Sequence, residues 1–563
     1  MKTFTGLAKT IYNSNVCAIS SYNGSISDIT ILSTERLTRK KYAGNWPFLP
    51  LELLCNTRDL GEEIICENRD VTTPKDHEES MDLTFPFYNY LGTKKLTRYS
   101  SVYNNKLKFI GHHDAHAYCA LAMSPFKKSL ILVVDGSGSR KSDVIEEIEA
   151  PKNKKYQHES VSVYTQNLGE IKCVNKEWQE FQASKSCMNE YFSDSIGIFY
   201  ENIARFVFGS KMASGKLMGL SAFGNPMIVK DRINFLENLD WSKSFSKSDN
   251  VSWDKSENLN LYMDLAATAQ NEYSKYMKRK FNDLKLSFSD YENIIFTGGC
   301  ALNCSNNFEL INQKTFKQIY VPPFPGDEGL SLGLSYFTYL KDKRSTWKVI
   351  AKKAQHSYYG SSLSIPTGHE ITTIFNKYKV TKLENISKEV SILLNKNNIV
   401  AWFQGRSECG QRALGHRSLL ASLSFPKLKN YLNSKVKFRE EFRPYGGACL
   451  AEKVHLYFNV EKYFLNPFMS FTLPINEKFS NQLKEITHKD KTSRVQTVHF
   501  ESNEKFYNLI KYYGNLSGIY CILNTSLNTM GEPIVEDIND VYNFFEKSPL
   551  KFLAIEDYLI EKI

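Results

Sequence analysis

Three histidines and an aspartate stand within five residues in the stretch FIGHHDAHAYCALAMSPF, residues 109–126. His112 and His116 are four residues apart, so on one turn of a helix both imidazoles would face the same side. This spacing suits a metal site, and it suits equally the polar start of a helix that binds nothing. Two imidazoles with one or two carboxylates favour Fe(II), Mn or Zn over Mg or Ca.

Two aspartates elsewhere in the chain could complete such a site. Asp135 directly follows an apolar run in LVVDGSGS. A carboxylate at a strand end can face a cation, while the N–H groups around Gly136 and Gly138 approach phosphate. Asp327 lies in the loop PPFPGDEGLSLG, just before a predicted helix of small residues. The four side chains are therefore candidates for one metal centre.

A second glycine turn, TGGCALNC, separates a predicted strand from a predicted helix. Gly298 and Gly299 stand at this turn, where backbone amides and the helix dipole favour an anion such as phosphate. Taken singly, HxxxH, DGSG and GGxxxN are each explained at least as well by a helix start or a turn as by a functional site.

Positive charge is concentrated in residues 401–450. This segment has nine Lys and Arg against three Glu, more than half of the chain's net charge of +10. Arginine forks bind phosphate oxygens bidentately, and interleaved Phe, Leu, Tyr, Pro and Gly favour a partly buried anion pocket over a solvated basic face. The candidate contacts lie in four stretches: WFQGRSECGQRALGHRSLLA (Arg412, Arg417), NSKVKFREEFRPYGGA (Lys437, Arg439, Arg443), TSRVQTV (Arg494) and LNTSLNTMGEPIV (Asn524, Ser526, Asn528).

The size and composition are those of a soluble globular protein. With 563 residues, 42% apolar and 23% charged, the chain should form two or three domains. It shows no N-terminal signal pattern and no apolar run near the ~20 residues needed to span a bilayer, so we expect a cytoplasmic protein without membrane contact. Eleven cysteines without a CxxC pair predict reduced thiols.

Strand-like and helix-like segments alternate and predict an α/β architecture. NVCAISSYNGSISDITIL predicts a hairpin that turns at Asn23-Gly24, and KSLILVVDGSG predicts a strand. ISKEVSILLNKNNIVAWFQGRSECG predicts a helix, a turn, a strand and a loop. The polar segments 45–105 and 140–185 are interpreted as insertions or loops, and 341–370 as the best candidate for a linker.

In order along the chain, the motifs resemble those of the NodU/CmcH-type O-carbamoyltransferase family. The resemblance covers roughly residues 12–47 and 106–563. It rests on the stretches above together with STERLTRKKYAGNWP (33–47) and SGKLMGLSAFG (214–224). It implies an actin/Hsp70-like N-terminal domain with duplicated α/β subdomains, followed by a YrdC-like α/β domain. We therefore expect domains at 1–345 and 371–563, with a linker at 346–370.

The resemblance also implies roles for particular residues. The metal, Fe(II) first with Mn or Zn as alternatives, would be held by His112, His116, Asp135 and Asp327. His113 and Asp114 would lie on the acceptor side as candidate general bases. ATP-derived nucleotide would contact Asp135, Gly136, Gly138, Gly298 and Gly299, with Lys216 and Asn303 nearby. Carbamoyl phosphate and ATP would be bound in the C-terminal domain by Arg412, Arg417, Lys437, Arg443, Arg494, Ser526 and Asn528, with Lys437 and Arg443 catalytic.

The implied function is transfer of a carbamoyl group from carbamoyl phosphate, through carbamoyl adenylate, to a hydroxyl of a small natural-product or sugar-like acceptor. Two alternatives stay open: a tRNA-modifying (threonyl)carbamoyl transferase, and a non-catalytic ATP-binding regulatory protein. Much of the surplus positive charge is assigned to the phosphate pocket, which argues against a nucleic-acid partner. A homodimer is our expectation for the oligomeric state.

Several positions differ from the family's usual pattern. EFGPRALGNRS is replaced by ECGQRALGHRS, so that Cys409, Gln411 and His416 are substitutions. FRPFAP is replaced by FRPYGG and NTSFN by NTSLN, and near the N-terminus the usual His-Asp is Asn13-Ser14. The arginines are retained, so we predict altered packing and unchanged chemistry.

Overall fold

The computed structural model describes twelve segments of the chain: residues 1–10, 13–44, 47–57, 60–61, 64–67, 107–144, 157–180, 182–183, 191–192, 194–237, 258–342 and 356–563. Two compact units are formed. The first comprises Met1–Glu180, Ile295–Gly299 and Phe324–Ile350. The second comprises Phe181–Ile294, Cys300–Pro323 and Ala351–Ile563. The predicted α/β class is confirmed, since strands and helices alternate through both units.

The strands of the described residues are β1 (Lys2–Ala8), β2 (Asn15–Tyr22), β3 (Ser25–Ser33), β4 (Ile64–Glu67), β5 (Leu107–Ile110), β6 (Lys128–Val134), β7 (Gln157–Asn167), β8 (Glu170–Glu180), β9 (Gln182–Ala183), β10 (Tyr191–Phe192), β11 (Asn293–Thr297), β12 (Gln318–Tyr320), β13 (Lys379–Lys382), β14 (Ile399–Phe403), β15 (Arg417–Ala421), β16 (Gly446–Leu450), β17 (Leu473–Pro474), β18 (Thr492–Ser493), β19 (Val495–Val498), β20 (Cys521–Ser526), β21 (Phe552–Ile555) and β22 (Tyr558–Glu561).

The α-helices of the described residues are α1 (Thr34–Thr38), α2 (Phe48–Thr57), α3 (His112–Met123), α4 (Ile196–Phe208), α5 (Ser214–Leu220), α6 (Leu259–Ser287), α7 (Cys304–Gln313), α8 (Leu330–Lys341), α9 (Gly368–Ile374), α10 (Ile386–Asn395), α11 (Leu428–Tyr431), α12 (Val454–Tyr457), α13 (Glu504–Ser517) and α14 (Ile538–Lys547). A π-helical turn, Leu432–Lys437, follows α11 directly.

The first unit contains two sheets with the same internal order. In the first sheet the order is β3-β2-β1-β4-β5, with β1, β2 and β3 antiparallel and β4 and β5 parallel to β1. In the second sheet β6 lies between β7 and β11, and β8 flanks β7. In both sheets the strand that comes first along the chain, β1 or β6, is central. The two antiparallel strands that follow it in the chain lie on one side, and a later strand lies on the other. This repetition matches the duplicated subdomains that the family resemblance implies.

Helices α3 and α8 pack on one face of the first sheet. Ala8, Ile65 and Ile110 of the sheet form a buried cluster with Ala115 of α3 and with Leu330 and Leu334 of α8. The two helices approach so closely that a Cβ on Gly333 would lie 1.9 Å from the carbonyl oxygen of Ala115. Position 333 therefore requires glycine, and α3 and α8 are held in a fixed relation to each other.

The second unit is built on an eight-stranded sheet of order β13-β22-β21-β14-β15-β20-β16-β19. Helices α10 and α13 cover one face, where Val390, Trp402, Leu420, Phe506 and Ile522 are among the buried core residues. The strands that carry the basic motifs, β15, β16 and β20, are neighbours in this sheet. Helices α4, α5, α6 and α7 belong to the same compact unit.

The local predictions are confirmed at most of the motifs. The hairpin β2–β3 turns at Asn23 and Gly24, which have φ of 49° and 74° as a tight two-residue turn requires. The stretch 386–403 forms the predicted helix, turn and strand, α10 followed by β14. No disulfide joins any two of the ten cysteines within the described segments.

The interpretation of 140–185 as insertions or loops is wrong for residues 157–180. They form the long hairpin β7–β8, which extends the second sheet from β6. The charged residues that made this segment look like a loop are partly buried in the sheet. Most of 45–105, and residues 343–355 of the linker candidate, lie outside the described residues. The domain boundaries at 345 and 371 stay a prediction.

Among the helices that the structure describes, none is both long enough and apolar enough to cross a bilayer.

Replacing a core residue of the central strand should destabilise the first unit. Leu132 of β6 is fully buried, so we expect Leu132→Ala to lower the free energy of unfolding by about 2–5 kcal/mol in urea titrations. The matched control is Leu168→Ala, because Leu168 is 56% exposed in the β7–β8 turn and should cost little. Equal losses in both variants would contradict the placement of β6 in the core.

Candidate metal centre and phosphate site

The four predicted metal donors lie together in the first unit. His112 and His116 stand on the first turns of α3, which follows β5 after a single glycine. Asp135 follows β6 directly, and Asp327 begins the short turn that leads into α8. The close packing of α3 on α8 brings the imidazoles and Asp327 to one place.

The distances fit a single ion. His112 Nε2 lies 3.3 Å from Asp135 Oδ2 and 3.6 Å from Asp327 Oδ1, and His116 Nε2 lies 3.6 Å from the same Asp327 oxygen. All four ligand atoms are within 4.8 Å of one another, and all four residues are buried. Donors bonded at about 2.1 Å to one ion are separated by about 3.0–4.2 Å, so the group suits a first-row divalent metal.

Charge and unmet hydrogen bonding favour a cation in the same position. The two carboxylates can carry two negative charges, which a divalent ion would balance. His116 Nε2 is buried and makes no hydrogen bond to any residue that the structure describes. The donor set therefore fits the metal that the family resemblance implies. Its nitrogen and oxygen ligands do not distinguish iron from manganese or zinc.

Backbone contacts from neighbouring loops fix the donors. Ser139 Oγ accepts a hydrogen bond from the His112 backbone N–H at 2.8 Å. Gly299 N–H donates to Asp135 Oδ1 at 2.9 Å, which leaves Oδ2 facing His112. Asn15 Nδ2 donates to the Asp327 carbonyl at 3.0 Å. These contacts place Gly299 beside the metal donors. Its contact with a nucleotide phosphate stays a prediction.

Gly298 is required by backbone geometry. Its φ is +90°, and a Cβ there would lie 2.2 Å from the carbonyl oxygen of Val134, the last residue of β6. The glycine thus lets the β11 turn close against the end of β6. Gly136 and Gly138 occupy the turn after Asp135, and Gly138 N–H donates to the Glu159 carbonyl.

His113 and Asp114 are buried beside the donors. His113 Nδ1 lies 2.8 Å from Ser162 Oγ, and burial, with Lys176 nearby, holds the pKa of His113 well below its usual value. Asp114 Oδ1 accepts a hydrogen bond from the Tyr164 hydroxyl at 2.7 Å. Both side chains are therefore oriented by residues of β7.

A buried ion pair behind these residues was missed by the sequence reasoning. Glu159 of β7 and Lys176 of β8 pair at 2.5 Å with both side chains fully buried. The second Glu159 oxygen accepts the backbone N–H groups of Ser139 at 3.0 Å and His113 at 3.4 Å. The alternating pattern of HESVSVYTQN is typical of a strand, but the charged residues of 140–185 favoured the interpretation as a loop.

In the second unit, the side chain of Lys437 contacts residues 526–528, the Ser-Leu-Asn segment. Its Nζ donates to Asn528 Oδ1 at 2.8 Å, to the Asn528 carbonyl at 3.0 Å and to the Ser526 carbonyl. Ser526 Oγ donates in turn to Asn528 Oδ1 at 2.6 Å. The π-helical turn ends at Phe438, whose φ of 49° is strained for an aromatic residue, and this turn aims the lysine.

Three arginines lie near this lysine segment. Arg439 stacks over the Tyr445 ring at 4.0 Å and donates to Asn433 Oδ1 at 3.0 Å. Burial, together with the charges of Arg443 and Arg494, lowers its pKa to about 10. Neighbouring guanidinium groups that repel one another favour an anionic ligand. The buried Nε of Arg494 makes no hydrogen bond within the described residues.

Arg417 has a different place from the one predicted. It is fully buried, and its guanidinium donates to the carbonyls of Gln404 at 2.7 Å and Gly405 at 3.0 Å, and to that of Glu536. It also stacks on the Phe403 ring at 3.6 Å. A guanidinium used in this way holds the loop together and has few donors left for phosphate. Asn524 is likewise used internally, and Arg412 is half-buried in the same loop.

Lys216 and Asn303 belong to the second unit, whereas the metal donors belong to the first. Asn303 caps α7 and exchanges two hydrogen bonds with Gln270, at 3.0 and 3.2 Å. Lys216 on α5 pairs with Glu440 at 2.5 Å. Their predicted nucleotide contacts stay predictions.

Two family models match the chain. One, the carbamoyltransferase N-terminus, matches residues 86–335, and the other, the carbamoyltransferase C-terminus, matches residues 391–562. The chain belongs to the carbamoyltransferase family. The metal donors fall within the first match and the Lys437 site within the second.

The chain is similar to several curated relatives and to solved structures. An uncharacterized protein of Methanocaldococcus jannaschii is 28% identical over 94% of this chain and 95% of its own. Nodulation protein NolNO of Sinorhizobium fredii is 27% identical, over 81% of this chain and 64% of its own. The 3'-hydroxymethylcephem-O-carbamoyltransferase of Streptomyces clavuligerus is 28% identical, over 48% of this chain and 49% of its own. Full-length HypF, in its phosphate- and nucleotide-bound form, is 13% identical, covering 61% of this chain and 56% of its own with a TM-score of 0.37.

His416 stands where the family usually has asparagine, and its ring is accommodated by stacking. Its ring lies on Tyr358 with centroids 3.6 Å apart and planes at 7°, and Nδ1 donates to the Arg406 carbonyl at 2.6 Å. Burial lowers the pKa of His416 to about 3. The histidine is thus accommodated in the carbamoyltransferase motif by stacking and by a hydrogen bond to the backbone.

Removing one imidazole should empty the metal centre. We expect purified protein to contain a divalent ion, and His116→Ala to lose most of it, because His116 supplies one of four clustered donors. Metal content per chain by plasma mass spectrometry is the measurement. His158→Ala is the control, since its ring contacts the Gly138 carbonyl and is not a donor. Equal metal in both variants would contradict the assignment.

His416 should make the protein acid-sensitive. The unfolded chain has a histidine pKa of about 6.5, so between pH 6.5 and 3 it binds a proton that the folded protein does not. The contribution of His416 to the free energy of unfolding is complete above about pH 6.5 and decreases as the pH is lowered below that value. From pH 7 to pH 5 the wild type should lose about 2 kcal/mol more than His416→Asn in chemical denaturation. Parallel pH profiles would exclude a buried neutral His416.

Proposed function

We propose that this carbamoyltransferase moves a carbamoyl group from carbamoyl phosphate, through carbamoyl adenylate, to a hydroxyl of a small natural-product or sugar-like acceptor, and that the reaction consumes ATP. The observation that carries the proposal is the Lys437 site. A buried lysine, a Ser-x-Asn cradle and three arginines are gathered in the segment matching the family's C-terminus.

The first half-reaction would take place at this site. Carbamoyl phosphate, ATP and water would give carbamoyl adenylate, pyrophosphate and phosphate. Lys437 and Arg443 would neutralise negative charge that develops on the transferring phosphoryl oxygens. Ser526 and Asn528 orient the lysine ammonium, and Arg494 has a buried donor for a phosphate oxygen. Fixed donors of this kind lower the barrier because they need little rearrangement during the reaction.

The second half-reaction would use the first unit. The acceptor hydroxyl would attack the carbamoyl carbon and AMP would leave. A divalent ion held by His112, His116, Asp135 and Asp327 would supply Lewis acidity. His113 Nδ1 faces Ser162, so His113 Nε2 is the ring atom available to take the hydroxyl proton, and Asp114 is the other candidate base. Burial of this region would limit hydrolysis of the mixed anhydride.

The adenylating half-reaction predicts ATP–pyrophosphate exchange that requires carbamoyl phosphate. We expect Lys437→Met to reduce the exchange rate at least about 100-fold, because it removes a positive charge from the developing phosphoryl anion. The matched control is Lys435→Met on the same π-helical turn, whose side chain is exposed and should be dispensable. Exchange that proceeds without carbamoyl phosphate, or equally in both variants, would contradict the proposed step.

A further inference from the structure

An ion pair joins the two family-matched parts of the chain inside the second unit. Lys216 stands on α5, in the part matching the carbamoyltransferase N-terminus, and Glu440 stands in the FREEFRP loop of the C-terminal match. Lys216 Nζ lies 2.5 Å from Glu440 Oε1. Nothing in the sequence pattern placed these residues together, since 224 positions separate them.

The surrounding packing holds α5 against the FREEFRP loop. A Cβ on Gly219 would lie 3.5 Å from both Phe442 and Pro444, and the Phe208 ring stacks on the Phe442 ring at 6.2 Å. The Lys216 ammonium also lies 5.8 Å from the Phe208 ring centre. The lysine is therefore placed at the edge of the arginine cluster by a packed interface.

Glu440 connects Lys216 to the arginines. Its second oxygen lies 3.8 Å from Arg443 Nη1, so one carboxylate faces two cations. That oxygen is buried and makes no hydrogen bond within the described residues. Lys216 and Arg443 thus share one nearby counter-charge. An arriving phosphate, with two negative charges, competes with Glu440 for the same cations.

We propose that Lys216 is a further phosphate-binding residue of the C-terminal site, and that Lys216 stays paired with Glu440 until a phosphate group binds. The inference rests on the proposed function, because it deepens the use of that site. The Lys216 and Arg443 side chains are 32% and 30% exposed, so both can reach a ligand from solvent. The lysine stem has four rotatable carbons, and its ammonium can leave Glu440 without moving α5.

The two partners should affect phosphate binding in opposite directions. Lys216→Met keeps the stem against Phe208 and removes the charge, so pyrophosphate should bind about tenfold more weakly. Glu440→Gln removes the competing carboxylate, so pyrophosphate should bind more tightly than to the wild type. The double variant should bind pyrophosphate more tightly than Lys216→Met and less tightly than Glu440→Gln, because loss of the carboxylate also relieves Arg443. Titration calorimetry with magnesium pyrophosphate on the full chain measures all four affinities without requiring turnover.

A merely structural ion pair gives a different result. It would weaken binding in Glu440→Gln as much as in Lys216→Met, and that outcome would overturn the proposal. Unchanged affinity in Lys216→Met would overturn it as well. The control is Lys230→Met, since Lys230 is an exposed lysine of the second unit outside this interface. The salt dependence of pyrophosphate binding should become shallower in Lys216→Met and stay unchanged in the control.

Kinetics separates this inference from the proposed function. If wild-type protein shows carbamoyl-phosphate-dependent exchange, Lys216→Met should raise the KM for carbamoyl phosphate or pyrophosphate more than it lowers kcat. Normal exchange kinetics in Lys216→Met would reject the inference and leave the function standing. Pyrophosphate affinity that depends on Lys216, without any exchange in the wild type, would support the inference and reject the adenylating step.

Discussion

The backbone contact between α3 and α8 is the constraint on which the metal centre depends. Gly333 lets the two helices approach until a Cβ at this position would lie 1.9 Å from Ala115 O, and three of the four metal donors lie on or just before the N-terminal ends of the two helices. Any side chain at position 333 would separate His112 and His116 from Asp327. The metal geometry is therefore a consequence of helix packing on the first sheet, several residues away from the donors themselves.

Charge balance links the two sites to their ligands. The metal centre gathers two carboxylates among buried imidazoles, and in the second unit Lys216 and Arg443 lie beside one carboxylate, that of Glu440. Each arrangement is costly without an opposite charge, because like charges repel and buried charges lose solvation. The Glu159–Lys176 pair shows how the protein resolves the same problem internally, with one oxygen for the lysine and one for two backbone amides.

The two family-matched parts of the sequence are not the two compact units. Helices α4, α5 and α7 lie within the N-terminal match, yet they belong to the unit built on the C-terminal sheet. Asn307 donates to the Ser470 carbonyl and Thr472 N–H donates to the Cys304 carbonyl, which ties α7 to the later part of the chain. Residues of the N-terminal match are thereby placed against residues of the C-terminal match.

Local sequence patterns were enough to predict the features that depend on neighbours along the chain. The hairpin at Asn23-Gly24, the helix that aligns His112 with His116, and the strand before Asp135 follow from local periodicity and turn chemistry. The prediction of a loop at 157–180 was wrong because it rested on the charged residues there, and a charged side chain that has a partner can be buried in a strand.

Which distant residues meet depends on tertiary packing. It brought Asp327 to His112, it used the Arg417 guanidinium to bind carbonyls within its own loop, and it placed Lys216 on Glu440. These contacts span from 13 to 224 positions. They follow from how helices and sheets pack, and packing depends on the shapes of surfaces that no local pattern encodes.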